Sequence, residues 1–209
     1  MNVVFDFGIV LFSWQPEEVV AEVFHEFVTP ERSAGQLRDA LFGRHFDQPE
    51  WLAFDGGSIE PAACAQRMAD RTQLPLELVV RLIDLVPERL LPNKPMLELM
   101  ESLRADGHTL YFLSNMPVPY ARILEARHAF VRAFTGGVFS GDVKLVKPNP
   151  AIFRALFERT GIEPGQSVFI DDHLPNVEAS RALGMAAVHY ENASDTAAAL
   201  AQIFENQAA

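Results

Sequence analysis

One cysteine in 209 residues leaves no partner for an intramolecular disulfide. Cys64 stands in Ala62-Ala63-Cys64-Ala65, the setting of a small apolar side chain in a helix rather than of a nucleophile. Basic charge is also scarce: 17 Lys and Arg face 28 Asp and Glu, for a formal net charge of -11. A protein that neutralises a phosphate backbone needs a basic surface, so nucleic acid is not an expected partner. A small anionic substrate stays open, because one lysine and one metal ion reverse the sign locally. No apolar run is long enough to span a bilayer, and no signal-peptide pattern precedes the first strand-like run. No membrane association is expected, and the expected compartment is the cytoplasm. The oligomeric state is not legible. Repeats and low-complexity tracts are missing too, so the chain should form one sizeable core with room for an inserted segment.

What is present begins at the N-terminus. Asn2-Val3-Val4-Phe5 is apolar and β-branched, the composition of a parallel strand buried on both faces. It ends on a carboxylate, Asp6, where open α/β sheets bind their ligands. After the aromatic turn Phe12-Ser13-Trp14-Gln15-Pro16 the character changes. Helical spacing is expected over 17–27, 33–46, 49–54, 60–71 and 76–85, with no strand pattern between Glu17 and Val86. Pro87, Pro92 and Pro95 mark the exit. Helices and strands then alternate: helix 96–105, strand 109–113, helix 120–134, strand 137–139, helix 151–159, strand 167–170, helix 176–183, strand 186–189 and helix 194–204. The pattern predicts an α/β fold, a Rossmann-like doubly wound parallel sheet. The expected division is a core of residues 1–13 and 90–209, interrupted by an all-helical insertion over 14–89.

The chemistry lies just after the strands. The first ends in Asp6, the second in Ser114-Asn115, and the third leads to Lys144 and Lys147-Pro148. The fourth ends in Asp171-Asp172. Each residue has a plain reading as a cap, a turn former or a solvated charge, but one sheet edge would gather all of them. Three carboxylates in one crevice repel by roughly 4 kcal/mol per pair at 4 Å and an effective dielectric of 20. A cation among them relieves this, and hard oxygen donors without a His or Cys pattern favour Mg²⁺. A lysine, a hydroxyl and an amide would then hold phosphate oxygens.

In this order the four motifs resemble those of the haloacid dehalogenase (HAD) superfamily over nearly the whole chain. Asp6-Phe7-Gly8-Ile9-Val10-Leu11 is similar to motif I, Leu113-Ser114-Asn115 to motif II and Lys147-Pro148 to motif III. Ile170-Asp171-Asp172 with Asn176 is similar to motif IV. The helical insertion resembles the family's C1 cap, and the turn at Phe12 to Pro16 resembles the branch with many bacterial sugar-phosphate phosphatases.

The resemblance implies a Mg²⁺-dependent phosphohydrolase acting on a small phosphorylated molecule, a sugar phosphate among the candidates. It implies Asp6 as nucleophile, with its other oxygen, the Gly8 carbonyl and Asp171 as metal ligands. Asp172 would order water or Lys147, Ser114 and Asn115 would hold phosphate, and Lys147 would offset charge. Lys144 reads as a surface charge. Family phosphatases usually carry an acid at the position of Gly8, and His173 is the replacement donor the sequence offers, with a roleless loop histidine as the plainer reading. The alternatives are a metal-free 2-haloacid dehalogenase-like hydrolase and a catalytically weak ligand-binding protein. Phe42, Arg44, His45, Phe46, Trp51 and Arg67 are the candidate substrate contacts of the insertion.

Overall fold

The computed structural model describes residues 1–208. Its centre is β1 (Asn2–Phe5), whose Val3, Val4 and Phe5 are fully buried. β1 pairs in parallel with β4 (Thr109–Ser114) on one side and β6 (Ser167–Asp171) on the other. β5 (Gly136–Phe139) extends the sheet beyond β4, and β7 (Ala186–His189) beyond β6. The order β5-β4-β1-β6-β7 is that of a doubly wound sheet. The chain reverses direction across the sheet between β1 and β6, so a crevice opens between the ends of those two strands.

Alternation along β1 assigns the two faces. Val4 packs with Ile152, Phe153, Leu156 and Val177, the buried apolar residues of helices Pro150–Thr160 and Leu174–Ala182. Val3 and Phe5 face the opposite core, which takes Met96, Met100 and Leu103 from helix Lys94–Ala105 and Leu200 from helix Ala193–Ala208. That second core continues without a break into the helices of residues 16–89.

Two short strands were not anticipated. β2 (Phe12–Ser13) and β3 (Leu91–Pro92) pair antiparallel, Phe12 opposite Pro92 and Ser13 opposite Leu91. Between them run helices Pro16–Val23, Ala34–Phe42, Pro49–Asp55, Pro61–Thr72 and Leu76–Arg89. The chain therefore leaves the sheet layer and returns to it at one place.

Four helix expectations need correction, the first being the helix expected over 17–27, which ends at Val23 and gives way to a 3₁₀ turn, His25–Phe27. The helix expected to end at Leu85, before Pro87, runs through that proline to Arg89. Proline has no N–H for the carbonyl four residues back. Here that carbonyl belongs to Ile83, and it accepts the Tyr120 hydroxyl at 2.6 Å instead. The helix expected over 120–134 is Val118–Arg127 followed by a 3₁₀ turn, Ala129–Ala133. His128 adopts an extended backbone between them, which brings the His128 and Phe130 rings 5.2 and 5.3 Å from that of Phe12. The helix expected over 33–46 stops at Phe42 because Gly43 and Phe46 take positive φ values of 81° and 56°. Its start is well specified, since Ser33 and Gln36 form a reciprocal capping box.

Candidate active site

The crevice gathers the expected residues around Lys147. The ammonium lies 2.9 Å from Asp6 Oδ1 and 2.6 Å from Asp171 Oδ2, and the side chain is almost wholly buried. Asp172 joins these two acids: oxygens of Asp6, Asp171 and Asp172 lie within 4.8 Å of one another. Three carboxylates against one ammonium leave two negative charges in excess if all are ionised.

Local structure fixes each group. Asp6 follows β1, and its Oδ1 also accepts the Phe7 N–H at 2.7 Å, so Oδ2 is the oxygen left unengaged among the described residues. Asp171 ends β6, fully buried, and accepts the His173 N–H at 2.8 Å. Asn176, in the first turn of the next helix, donates to both Asp171 oxygens at 3.0 and 3.1 Å. Lys147 is held through its main chain. Asn115 accepts the Lys147 N–H at 2.8 Å and donates to the Lys147 carbonyl at 3.2 Å. Both ends of the Asn115 amide are thus occupied by the lysine's backbone. Ser114 lies beneath it, 1% exposed, and does not reach the cavity wall. The Gly8 carbonyl accepts the Val10 N–H at 2.7 Å. A Cβ at Gly8 would meet no atom within 4 Å, so space does not demand glycine there.

Electrostatics follow from burial and crowding. Burial pushes the Asp6 carboxyl up to about 6, Asp171 adds to the rise, and Lys147 with the Phe7 N–H pulls against it. Asp172 is pushed up to about 7, by burial first and then by Asp6 and Asp171. Burial alone would lower Lys147, but the charges of Asp171 and Asp6 overcome it and hold the ammonium above its usual range. One cation cannot balance these acids, and an all-oxygen donor set of this kind fits a hard divalent ion.

The cavity above the site has a volume of about 720 Å³. Of the expected contacts from the helical segment, Arg44, His45, Phe46 and Trp51 line it. Phe42 does not: it is fully buried, its ring 4.7 Å from that of Trp51. Arg67 does not either, because helix Pro61–Thr72 turns Cys64, Ala65, Met68 and Ala69 inward and leaves Arg67 in solvent. Cys64 is the buried helix residue expected, its thiol pushed up to about 12 chiefly by burial. Lys144 is exposed, as expected for a surface charge. His173 lines the cavity, and its ring stacks on His45 at 5.8 Å between centroids.

Two residues escaped the sequence reading. Asp55, at the end of helix Pro49–Asp55, lines the same cavity at 7% exposure, and no described hydrogen bond or ion pair engages its carboxyl. Burial, with the charge of Asp6 behind it, holds that carboxyl well above the usual range. Ser140, fully buried after β5, donates to the Asp55 carbonyl at 2.6 Å and accepts the Met116 N–H at 2.8 Å. It ties the helical segment to two sheet loops. Asp55 sits in an Asp-Gly-Gly-Ser turn signal that reads only as a chain break, and Ser140 carries no signal of its own.

Comparison with known proteins agrees with this geometry. A family model for haloacid dehalogenase-like hydrolases matches residues 3–184. A sesquiterpene phosphatase of Aspergillus oryzae is 26% identical over 200 residues, 96% of this chain and 94% of that one. A phosphoglycolate phosphatase of Escherichia coli is 33% identical over 88 residues, 42% of this chain and 34% of its own. Among solved structures, a HAD family enzyme of Bacteroides thetaiotaomicron, crystallised with magnesium and inorganic phosphate, superposes with a TM-score of 0.73. That pair is 23% identical and covers 91% of this chain and 93% of the other.

Proposed function

Because the chain belongs to the haloacid dehalogenase-like hydrolase family, we propose that it is a Mg²⁺-dependent phosphohydrolase of a small phosphate monoester. The observation that carries this reading is the cluster at the β1–β6 crevice: three mutually close carboxylates around a single buried ammonium. Asp6 Oδ2 is the nucleophile. It attacks phosphorus, the bond from phosphorus to the alcohol oxygen breaks, and that oxygen takes a proton from water and departs as the alcohol. The aspartyl-phosphate left behind is hydrolysed by a second water to Asp6 and inorganic phosphate. Lys147 keeps Asp6 ionised and offsets the incoming phosphate. Asp6, Asp171 and the Gly8 carbonyl would hold Mg²⁺, with Asp172 beside them. When bound, the ion supplies charge neutralisation at the transferring phosphoryl group.

Asn115 acts here through the backbone of Lys147, and Ser114 acts from below the cavity wall. Residues 14–89 serve as a cap over the core of residues 1–13 and 90–209. Phosphatase names among the relatives, one for a terpene ester and one for a small acid, support phosphoryl transfer and leave the alcohol part open. No helix of the described residues is long and apolar enough to cross a membrane.

The test is release of phosphate from a panel of monoesters, with Mg²⁺ and with chelator. Turnover that needs Mg²⁺ is expected. Asp6→Asn is nearly isosteric and should keep the circular dichroism spectrum while abolishing turnover. Retention of more than a few per cent of the activity refutes the nucleophile assignment. Chloride release from 2-haloacids without metal would instead favour the dehalogenase reading, and binding without turnover the ligand-binding one.

A further inference from the structure

We infer that the alcohol part of the substrate is a hydrocarbon, so that the site takes alkyl phosphates in preference to sugar phosphates; this rests on the phosphohydrolase reading above. The cavity is polar at its floor, where Asp6, Asp172 and Lys147 lie, and mostly apolar along its walls, which also carry Arg38, Arg44, His45 and Asp47. Trp14, Phe46, Trp51, Leu52, Leu90 and Val146 form the apolar part. Its volume of about 720 Å³ falls in the range of roughly 300–1,000 Å³ that encloses a small organic ligand.

Several polar groups of the lining are already engaged by the protein, while Arg38 Nε, Asn176 Oδ1 and the Asp55 carboxyl have no partner among the described residues. The Tyr120 hydroxyl donates to Ile83, so the cavity meets its ring. The Asn115 and Asn176 amides donate to Lys147 and Asp171. Arg38 reaches Glu17, Asp39 and the Arg44 carbonyl. Arg44 is 83% exposed at the rim, His45 rests on His173, and Asp55 lies close enough to Asp6 to feel its charge. A sugar hydroxyl that faces the apolar side chains of these walls is left without a partner, which costs affinity, whereas a hydrocarbon gains from every methylene buried against them.

Ile9 points the same way from independent geometry. It follows Gly8 with φ of 64°, a left-handed backbone that β-branched residues rarely adopt, and it lines the cavity while remaining 39% exposed. The loop after the nucleophile thus holds an unfavourable backbone and presents an uncovered apolar side chain to the ligand space. A hydrocarbon bound there would cover it.

The experiment is a chain-length series. Phosphate release is measured for ethyl, butyl, hexyl, octyl and decyl phosphate, for p-nitrophenyl phosphate and for glucose 1-phosphate and glucose 6-phosphate. The value of kcat/KM should climb roughly two- to fourfold per methylene until the cavity is filled. Octyl phosphate should then exceed both sugar phosphates by tenfold or more. Leu52→Asn should flatten the slope of kcat/KM against chain length.

A second arm needs no turnover: binding of octanol and butanol to the full chain, followed by the fluorescence of Trp14 and Trp51, should favour octanol by tenfold or more. A flat series, or sugar phosphates ahead of octyl phosphate, overturns the inference while leaving the phosphohydrolase reading intact. If no ester in the panel is hydrolysed, that reading falls, and equal binding of the two alcohols then overturns the hydrocarbon inference as well.

Discussion

Burial of the crevice carboxyls, with the excess of negative charge around them, should make the metal-free protein lose stability as pH rises, the reverse of ordinary acid unfolding. Asp6 moves from its ordinary 3.8 to about 6 on folding, and Asp172 from 3.8 to about 7. A carboxyl whose folded value is raised binds its proton more tightly in the folded state. Its contribution is complete below about pH 4 and is lost as pH climbs through the folded value. For Asp6, about two pH units correspond to roughly 3 kcal/mol. Asp172 is half-buried and its shift shares the Asp6 charge, so the two together are set at about 3–5 kcal/mol rather than at their sum. Asp55 adds in the same direction. His108 and His128, each held below the usual range chiefly by burial, act in the opposite sense, but only below about pH 6.5. The assay is urea unfolding in chelator between pH 6 and 8, followed by the fluorescence of Trp14 and Trp51. Unfolding free energy should fall across this range by about 1–2 kcal/mol. Mg²⁺ at 100 times its Kd should restore about 2.7 kcal/mol at pH 8, and less at pH 6, where protons compete for the same oxygens. A metal-free stability that is flat or rising between pH 6 and 8 would refute the reasoning, as would a Mg²⁺ effect that ignores pH.

Asn115→Ala removes both bonds to the Lys147 backbone, at a cost of about 1–3 kcal/mol, and lets the ammonium shift. Phosphatase assays should show kcat falling at least tenfold with KM little changed, and an unchanged kcat would show that the clamp has no role. Gly8→Asp should fold normally, since its Cβ meets nothing within 4 Å. It should speed alkyl esters over aryl esters by tenfold or more, because alkyl leaving groups depend most on an added acid; a uniform effect on both would mean that protonation of the leaving group does not limit the rate. Gly57→Ala places a Cβ 2.6 Å from the Gly141 carbonyl at a φ of 64°. Urea midpoints should report a loss of about 1–3 kcal/mol, and a neutral result would mean that the two segments separate freely there.

The sheet and the four strand-end motifs were legible because both rest on short-range chemistry. β1 reads as buried because its residues are apolar and β-branched, and Asp6 and Asp171 stand out as acids closing such runs. What stayed hidden depends on distant partners. β2 and β3 are two residues each, too short for any period, and exist only because Phe12 meets Pro92. Pro87 reads as a helix breaker unless Tyr120, 33 positions later, is known to satisfy Ile83. Asn115 reads as a phosphate ligand, and nothing near it in sequence reveals that its amide also clamps the Lys147 backbone. Asp55 looks like turn punctuation because nothing near it in sequence reveals the cavity it enters.

The antiparallel pair β2–β3 has a consequence for chain entropy. Ser13 stands opposite Leu91, so the excursion of residues 14–90 begins and ends at neighbouring points. With its ends pinned by that ribbon, the excursion closes a loop whose entropy grows only logarithmically, by about 0.6 kcal/mol for each doubling of length. Loop closure therefore sets only a weak limit on the length of the excursion, and the stronger limit is the core that its helices share with the sheet. Asp6, Lys147 and Asp171 all lie outside the loop, so a change of length or sequence within the excursion leaves the segments that carry the carboxylate–ammonium cluster untouched.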